Sequence, residues 1–285
     1  MSRFIAHHEH AHHNTLPRVL SIAGSDTGGG AGIQADIKTL GACGAYALTA
    51  ITALTAQSDQ GVQAVWPVMP EQLLLQIECA LSFQPAAIKL GMLGTGALAQ
   101  VVADCLTAYP HIPVIADTVI CASSGAALLD EEGIDILRDV LLPRACIVTP
   151  NRHEARLLFG SDDDKTLHSW VLKHRVPILL TGGDSVLHAV GDPQFCTDTL
   201  ITTEYIEHLT ALYVETPNQH GTGCTLSAAL AGFIAHGFSL PEAVNYARQF
   251  VQQALQAGAT QHWPDNGPLH HFFAFGTNDP SETAP

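Results

Sequence analysis

The chain reads as an α/β protein built on a mostly parallel central sheet, and three features of its 285 residues carry that reading. Short, continuously apolar runs alternate with stretches of helical period, the pattern of strands joined by crossover helices. The runs hold too few polar positions to leave one sheet face in water, which marks them as central parallel strands. Glycine-rich turns follow strands or open helices, where open α/β sheets collect ligands beyond the carboxyl ends of their strands.

Taken in order, strands are predicted over residues 19–23, 46–51, 87–90, 113–116, 146–149 and 177–180. Helices are predicted over 70–82, 95–109, 134–141 and 152–159. In the first of these, PEQLLLQIECALS, Leu73, Leu74, Ile77 and Leu81 share one face behind a proline at the start. The polar run 161–166, SDDDKT, is expected to be a solvated loop. Weaker patterning over 188–214 fits a β-hairpin or antiparallel edge strands. No repeat or long linker divides the chain, so one domain is expected over 17–275. The His-rich residues 1–16 and the polar residues 276–285 are expected to be disordered tails.

Composition narrows the function classes. Hydrophobic residues make up 47% and charged residues 14%, the balance of a densely packed globular protein. A net charge of -15 disfavours nucleic acid as a partner, because gripping a phosphate backbone takes clustered Lys and Arg. The seven cysteines are scattered and include no C-x-x-C pair, which argues against a disulfide framework or zinc ribbon and fits a reducing compartment. No signal core or membrane-length apolar run is present, so a cytoplasmic location without membrane contact is expected.

Three motifs carry chemistry. The first, AGSDTGGGAGIQADIKTLGACGAYA, leaves the first strand and opens a helix. Residues 30–35 satisfy G-x-G-x-x-A, yet the acidic residue a dinucleotide fold needs about 20 residues further on is missing. No G-x-x-x-x-G-K-[ST] occurs. So many glycines beside Asp26 and Asp36 point to ligand contact.

The second motif, NQHGTGCTLSAALAGFIAHG, runs a Gly-Thr-Gly turn into a helix apolar on nearly every side over 226–234, which predicts burial. Its start offers the backbone N–H groups of Gly221, Thr222, Gly223 and Cys224 to an anion at the positive end of the helix dipole. Cys224 is expected to have a lowered pKa there. The third motif, TPNRHEA, places Asn151 and Glu154 three apart after a strand, where they either help hold a metal and a phosphate oxygen or form a capping box. Asp117, a carboxylate at a strand's end, has the same two readings.

Together AGSD...GGAGIQADIKTL, ITALTAQ, KLGML, ADTV, TPNRHEA, TGGD, HGTGCTLSAAL and GPLHHF resemble the ribokinase-like superfamily of small-molecule kinases. More narrowly, they resemble the hydroxymethylpyrimidine and phosphomethylpyrimidine kinases of thiamine biosynthesis, over about residues 18–275. The resemblance implies a three-layer α/β/α sandwich, ATP and Mg2+ as cofactors, and a homodimer. It implies that Gly24, Asp36, Gln57, Met92 and Val119 line a pyrimidine pocket. Gly221, Thr222 and Gly223 would form the anion hole and Cys224 would act as catalytic base. Asn151, Thr181 and Gly183 would lie at the ATP phosphates, with Asp117 and Glu154 near magnesium.

Two departures stand out. Thr181 occupies the place of a lysine common in the family, and Gly28 that of a small hydroxyl residue. Phosphorylating a monophosphate brings a second dianion beside ATP, so the lost cation is expected to weaken a second phosphorylation more than a first, unless Lys38, Lys89 or a residue elsewhere substitutes. Pyridoxal or pyridoxine kinase activity is the close alternative. A dinucleotide-dependent oxidoreductase and a catalytically silent pyrimidine-binding protein are the readings from other classes.

Overall fold

The computed structural model describes residues 15–122, 125–182, 194–263 and 265–275. The predicted parallel strands form as β1 (Arg18–Ser25), β2 (Tyr46–Ser58), β4 (Ala87–Leu90), β5 (Val114–Ala116), β6 (Ile147–Val148) and β7 (Ile178–Leu180). Antiparallel β3 (Gly61–Pro67) pairs with β2, and β8 (Phe195–Ile201) and β9 (Ile206–Leu212) close the other edge as a hairpin. The nine strands lie in the order β3-β2-β1-β4-β5-β6-β7-β8-β9. The hairpin agrees with the expectation for 188–214, of which residues 188–193 lie outside the described residues.

Side-chain alternation along the strands feeds two cores. Leu20 and Ile22 of β1 pack on one face and Val19 on the other, and Ile178 and Leu180 of β7 lie opposite Leu179 in the same way. The first face is covered by α2 (Pro70–Leu81), α3 (Gly96–Thr107), α4 (Glu131–Ile136), α5 (Arg152–Phe159) and α6 (Asp164–His174). The second is covered by α1 (Gly32–Ala42), α7 (Thr222–Ala235) and α8 (Leu240–Gly258). The result is the three-layer α/β/α sandwich that the resemblance implied.

Several boundaries differ from expectation. The strand predicted over 46–51 runs on to Ser58 because it continues into a two-stranded ribbon with β3, where Leu54 pairs with Trp66. The helix predicted over 134–141 begins earlier, at Glu131, and widens into a π turn over Leu137–Leu141. The loop predicted over 161–166 is half wrong. Asp163 caps α6 by accepting the Thr166 amide at 2.9 Å, and Asp164 stands in the helix's first turn, where a carboxylate meets the positive dipole end. Of the two predicted tails, residues 1–14 and 276–285 lie outside the described residues.

Helix α7 is buried from Thr225 to Phe233, as its all-round apolar sequence predicted, and lies against β1, β4 and β5. Its N-terminus therefore arrives where β1, β4 and β5 end. Among the described residues no helix is long and apolar enough to cross a membrane.

Candidate active site

The loop after β1 is organised by one carboxylate. Asp26 accepts the amides of Gly30 and Ala31 on Oδ2 at 2.9 and 2.8 Å, and that of Gly28 on Oδ1 at 2.9 Å, while its carbonyl accepts Gly29. Burial raises the Asp26 pKa, but these donors and His220 outweigh it and hold the group below the usual carboxylate range. The glycine amides are thus consumed inside the loop. They are not free to cradle a pyrophosphate, which removes the support for a dinucleotide site.

This loop packs on the turn that opens α7. Gly221 has φ +85°, and a side chain there would put its Cβ 1.8 Å from the Gly30 carbonyl oxygen, so only glycine fits. The amides of Gly221, Gly223 and Cys224 have no partner among the described residues, as expected of an anion site at a helix start. Thr222 differs from the expectation. Its amide and hydroxyl both donate to the Gln219 carbonyl, at 3.2 and 2.6 Å, so its backbone is already satisfied.

Behind the helix start lies a buried charge cluster. Lys89, with no exposed surface, places Nζ 3.1 Å from both Asp36 oxygens and 3.7 Å from Asp117 Oδ2. Asp36 also accepts the Ser21 hydroxyl at 2.5 Å, and Asp117 accepts that of Ser227 at 2.9 Å. Burial pulls the Lys89 pKa down, but Asp36, Cys224 and Asp117 together hold it above the ordinary lysine value. Burial also pushes both aspartates up, against the pull of Lys89. The two directions describe one ammonium shared by more acids than it can neutralise; we read the lysine as charged, because three acidic groups face it.

Cys224 runs against its expected shift. Although the residue keeps some exposed surface, burial of the thiol pushes it up to about 12, with Asp117 and Asp36 adding to the rise and Lys89 opposing it. Burial of the sulfur is the larger cause and the two carboxylates add to it, which the sequence does not reveal because the enclosing elements and both acids lie far away along the chain.

Asn151 and Glu154 form the capping box: Asn151 Oδ1 accepts the Glu154 amide at 2.8 Å and Glu154 Oε2 accepts the Asn151 amide at 3.0 Å. Glu154 Oε2 also accepts the Thr118 hydroxyl at 2.8 Å. Burial, then the charge of Asp117, push Glu154 up to about 7. Thr181 is bridged to Asn151 in parallel, with its amide on the Pro150 carbonyl at 2.9 Å, so two of the residues expected at the phosphates lie side by side. Gly182 follows, tied to Asp198, which Arg248 of α8 holds at 2.7 Å. Gly183 lies outside the described residues.

Of the expected pocket residues, Gly24 and Gln57 stand near the ends of β1 and β2, Met92 follows β4, Val119 follows β5 and Asp36 lies in α1. A Cβ on Gly24 would stand 2.8 Å from Met92 Sδ, so the glycine makes room for that side chain. Val119 is half-buried just past Asp117. Gln57 approaches His220, and His220 Nε2 lies 3.0 Å from Asp26 Oδ2. Asp36 lies further in than a ligand contact requires, without exposed surface and with both oxygens engaged.

Comparison with known families decides the kinship. A family model described as phosphomethylpyrimidine kinase matches residues 26–270. The chain belongs to the phosphomethylpyrimidine kinase family. A hydroxymethylpyrimidine/phosphomethylpyrimidine kinase from Rhizobium meliloti is 40% identical over 262 residues, covering 89% of this chain and 96% of that one. The enzyme of the same name from Escherichia coli is 38% identical over 260 residues, covering 90% and 97%. Among solved structures, the pyridoxal kinase from Staphylococcus aureus in complex with AMP-PCP and pyridoxal superposes with a TM-score of 0.78 at 30% identity, covering 90% of this chain and 94% of that chain. A phosphomethylpyrimidine kinase from Clostridium difficile superposes with a TM-score of 0.70 at 32% identity, covering 84% and 99%.

Within this family member, sequence reasoning left three parts of the site without a role: Asp26 as the organiser of its loop, His220 as the link between two loops, and Ser227 as the partner of Asp117. The HGTGC motif named His220 as part of a pattern, but its partners lie 163 and 194 residues away.

Proposed function

We propose that the protein transfers the γ-phosphoryl group of ATP to the hydroxymethyl oxygen of 4-amino-5-hydroxymethyl-2-methylpyrimidine, and more slowly to the resulting monophosphate, in the cytoplasm. The observation that carries the reading is the α7 start. Unpartnered amides open the helix whose Ser227 donates to Asp117, and the charge of Asp117 reaches Glu154 of the capping box, an arrangement suited to phosphate.

Magnesium fits the donor set. Mg2+ keeps waters and substrate phosphates and takes only one or two carboxylates from a protein, so the absence of a three-residue acidic or His/Cys cluster among the described residues is no obstacle. Asp117 and Glu154 would hold it, and a cation there would relieve the repulsion that raises Glu154. When bound, it would offset charge on the ATP phosphates. The chain's own part is to fix the phosphate with the α7 amides, to keep the pyrimidine against Met92, Val119 and Gln57, and to receive the hydroxyl proton at Cys224. To act so the thiol must first lose its own proton: Lys89 favours the thiolate against burial, Asp117 and Asp36, and a cation held by Asp117 would offset one of those opposing charges.

Pyridoxal is the second substrate worth testing, because the superposed Staphylococcus aureus enzyme carries it. The test is mass spectrometry of products after incubation with magnesium-ATP and each substrate. Monophosphate with little diphosphate is expected from the pyrimidine. Cys224→Ala should lower turnover about 100-fold or more with little change in KM, and Thr181→Lys should raise the second step relative to the first. Pyridoxal phosphate as the main product would replace the substrate assignment, and unchanged turnover in Cys224→Ala would move the base elsewhere.

A further inference from the structure

His220 sits between two groups whose demands fix its proton. Asp26 Oδ2 lies 3.0 Å from Nε2 and also takes the Gly30 and Ala31 amides. A carboxylate held in that way by three donors is ionised and can only accept, so Nε2 must carry a proton. Gln57 then approaches the same Nε2 to 3.2 Å. An amide NH2 facing an N–H would set donor against donor, and rotating the amide by 180° turns its oxygen to the imidazole instead. The single Nε2 hydrogen is then shared between Asp26 Oδ2 at 3.0 Å and the Gln57 oxygen at 3.2 Å as a three-centre bond, and the Gln57 oxygen keeps its second lone pair free.

The ring itself is not free to move away. A Cβ on Gly30 would stand 2.5 Å from His220 Cδ2 and 2.9 Å from Pro268 Cβ, so the imidazole is packed on the glycine loop and beside the C-terminal segment. The His220 amide donates to the Gly267 carbonyl at 3.0 Å, and the parallel bridge between His220 and Pro268 fixes the backbone on that side. Asp26 is nearly fully buried, and its site gives the imidazole one orientation.

From this we infer that His220, held by Asp26, is a specificity-determining positioning residue that locks the Gln57 amide with its oxygen towards the imidazole and its NH2 towards the substrate. The inference rests on the functional reading above for the identity of the ligand, but not for the geometry. A locked amide presents an oxygen with one spare lone pair next to an NH2 donor. The complementary edge is an exocyclic amino group beside an unprotonated ring nitrogen, the edge of a 4-aminopyrimidine. The 4-oxo counterpart presents the reverse, a carbonyl beside a ring N–H. A freely rotating glutamine would accept both by turning over, whereas a locked one leaves two polar groups unpaired in the pocket. Turning the ligand instead would carry its 5-hydroxymethyl group away from the α7 start.

Two measurements test this. Long-range proton–nitrogen correlation spectra of nitrogen-15-labelled protein, with His220→Gln used for assignment, report the tautomer without any ligand. A proton on His220 Nε2 is expected; a bare Nε2 would overturn the lock. Calorimetric titration then compares 4-amino-5-hydroxymethyl-2-methylpyrimidine with its 4-oxo counterpart in wild type, His220→Ala and His220→Gln. Wild type should prefer the amino compound by about tenfold or more, and His220→Ala should lose about tenfold of that preference. His220→Gln, whose terminal NH2 reaches the position of Nε2 and can donate to both acceptors, should regain it. A preference that survives in a folded His220→Ala would sink the inference. Binding of neither pyrimidine by wild type, with Nε2 protonated, would remove the substrate reading and its specificity consequence while leaving the amide orientation standing.

Discussion

At the scale of single residues, Lys89 has no exposed surface and still carries its charge, because Asp36 and Asp117 surround it. In the sequence it sits inside KLGML, an apolar strand, and reads as a spare cation for phosphate. The fold shows why it cannot serve freely: its donors are spent on two aspartates that no local pattern connects to it. Removing one partner of a buried ion pair leaves uncompensated charge, at a cost of about 3–5 kcal/mol. Lys89→Met should therefore lower the stability measured by urea denaturation by about that much, and adding Asp36→Asn should recover part of the loss. A loss under about 1 kcal/mol would mean that the aspartates are neutral in the folded protein. Cys224 teaches the same lesson. Its place at a helix start was legible, while the opposite direction of its pKa depends first on burial of the sulfur and then on Asp117 and Asp36, which β5 and α1 bring in from far along the chain.

At the scale of elements, the central strands β1, β4, β5, β6 and β7 were readable because they are buried on both faces and so are largely apolar. Helix α7 was readable for the same reason. The β2–β3 ribbon, α6 and α8 were not, since half-exposed elements mix polar and apolar residues and local signals compete. The segment that closes over α7 supplies a testable consequence. His271 is buried, and its Nε2 lies 3.0 Å from the Thr225 hydroxyl, which itself donates to Gly221. Burial, then the charge of Lys38, lower its pKa from 6.5 to about 4. Between those values the unfolded chain binds a proton that the folded protein refuses. Stability from this group is therefore complete above pH 6.5 and falls as pH drops towards 4, by up to about 3 kcal/mol. Urea midpoints of wild type and His271→Phe at pH 7 and pH 4.5 check this: the wild type should lose more on acidification, and parallel losses in the two proteins would refute it.

At the scale of the whole molecule, one corner of the sandwich is apolar without cover. Tyr46 and Leu54 of β2, Trp66 of β3, and Leu75 of α2 with Phe83 just beyond it are each more than half exposed. Between β2 and α2 runs a groove of about 390 Å³ lined by Leu48, Leu75, Cys79, Ala80 and Phe83. It lies on the opposite side of β2 from the phosphate site, so it has no part in binding a small polar substrate. Exposed apolar side chains of this size, gathered on one edge strand pair and its covering helix, mark an interaction surface. A second copy of the chain is the occupant we propose, the homodimer that the resemblance implies. Burying large apolar side chains is worth about 1.5–3 kcal/mol each, so a few of them suffice for a stable dimer. Leu75→Glu combined with Phe83→Glu places two carboxylates in the groove, where pairing would have to desolvate them. Sedimentation velocity should show a wild-type dimer and a monomeric double variant at micromolar concentration, both folded by circular dichroism. A wild type that sediments as a monomer at every concentration, or a double variant that still dimerises, would assign that corner to something other than a second copy.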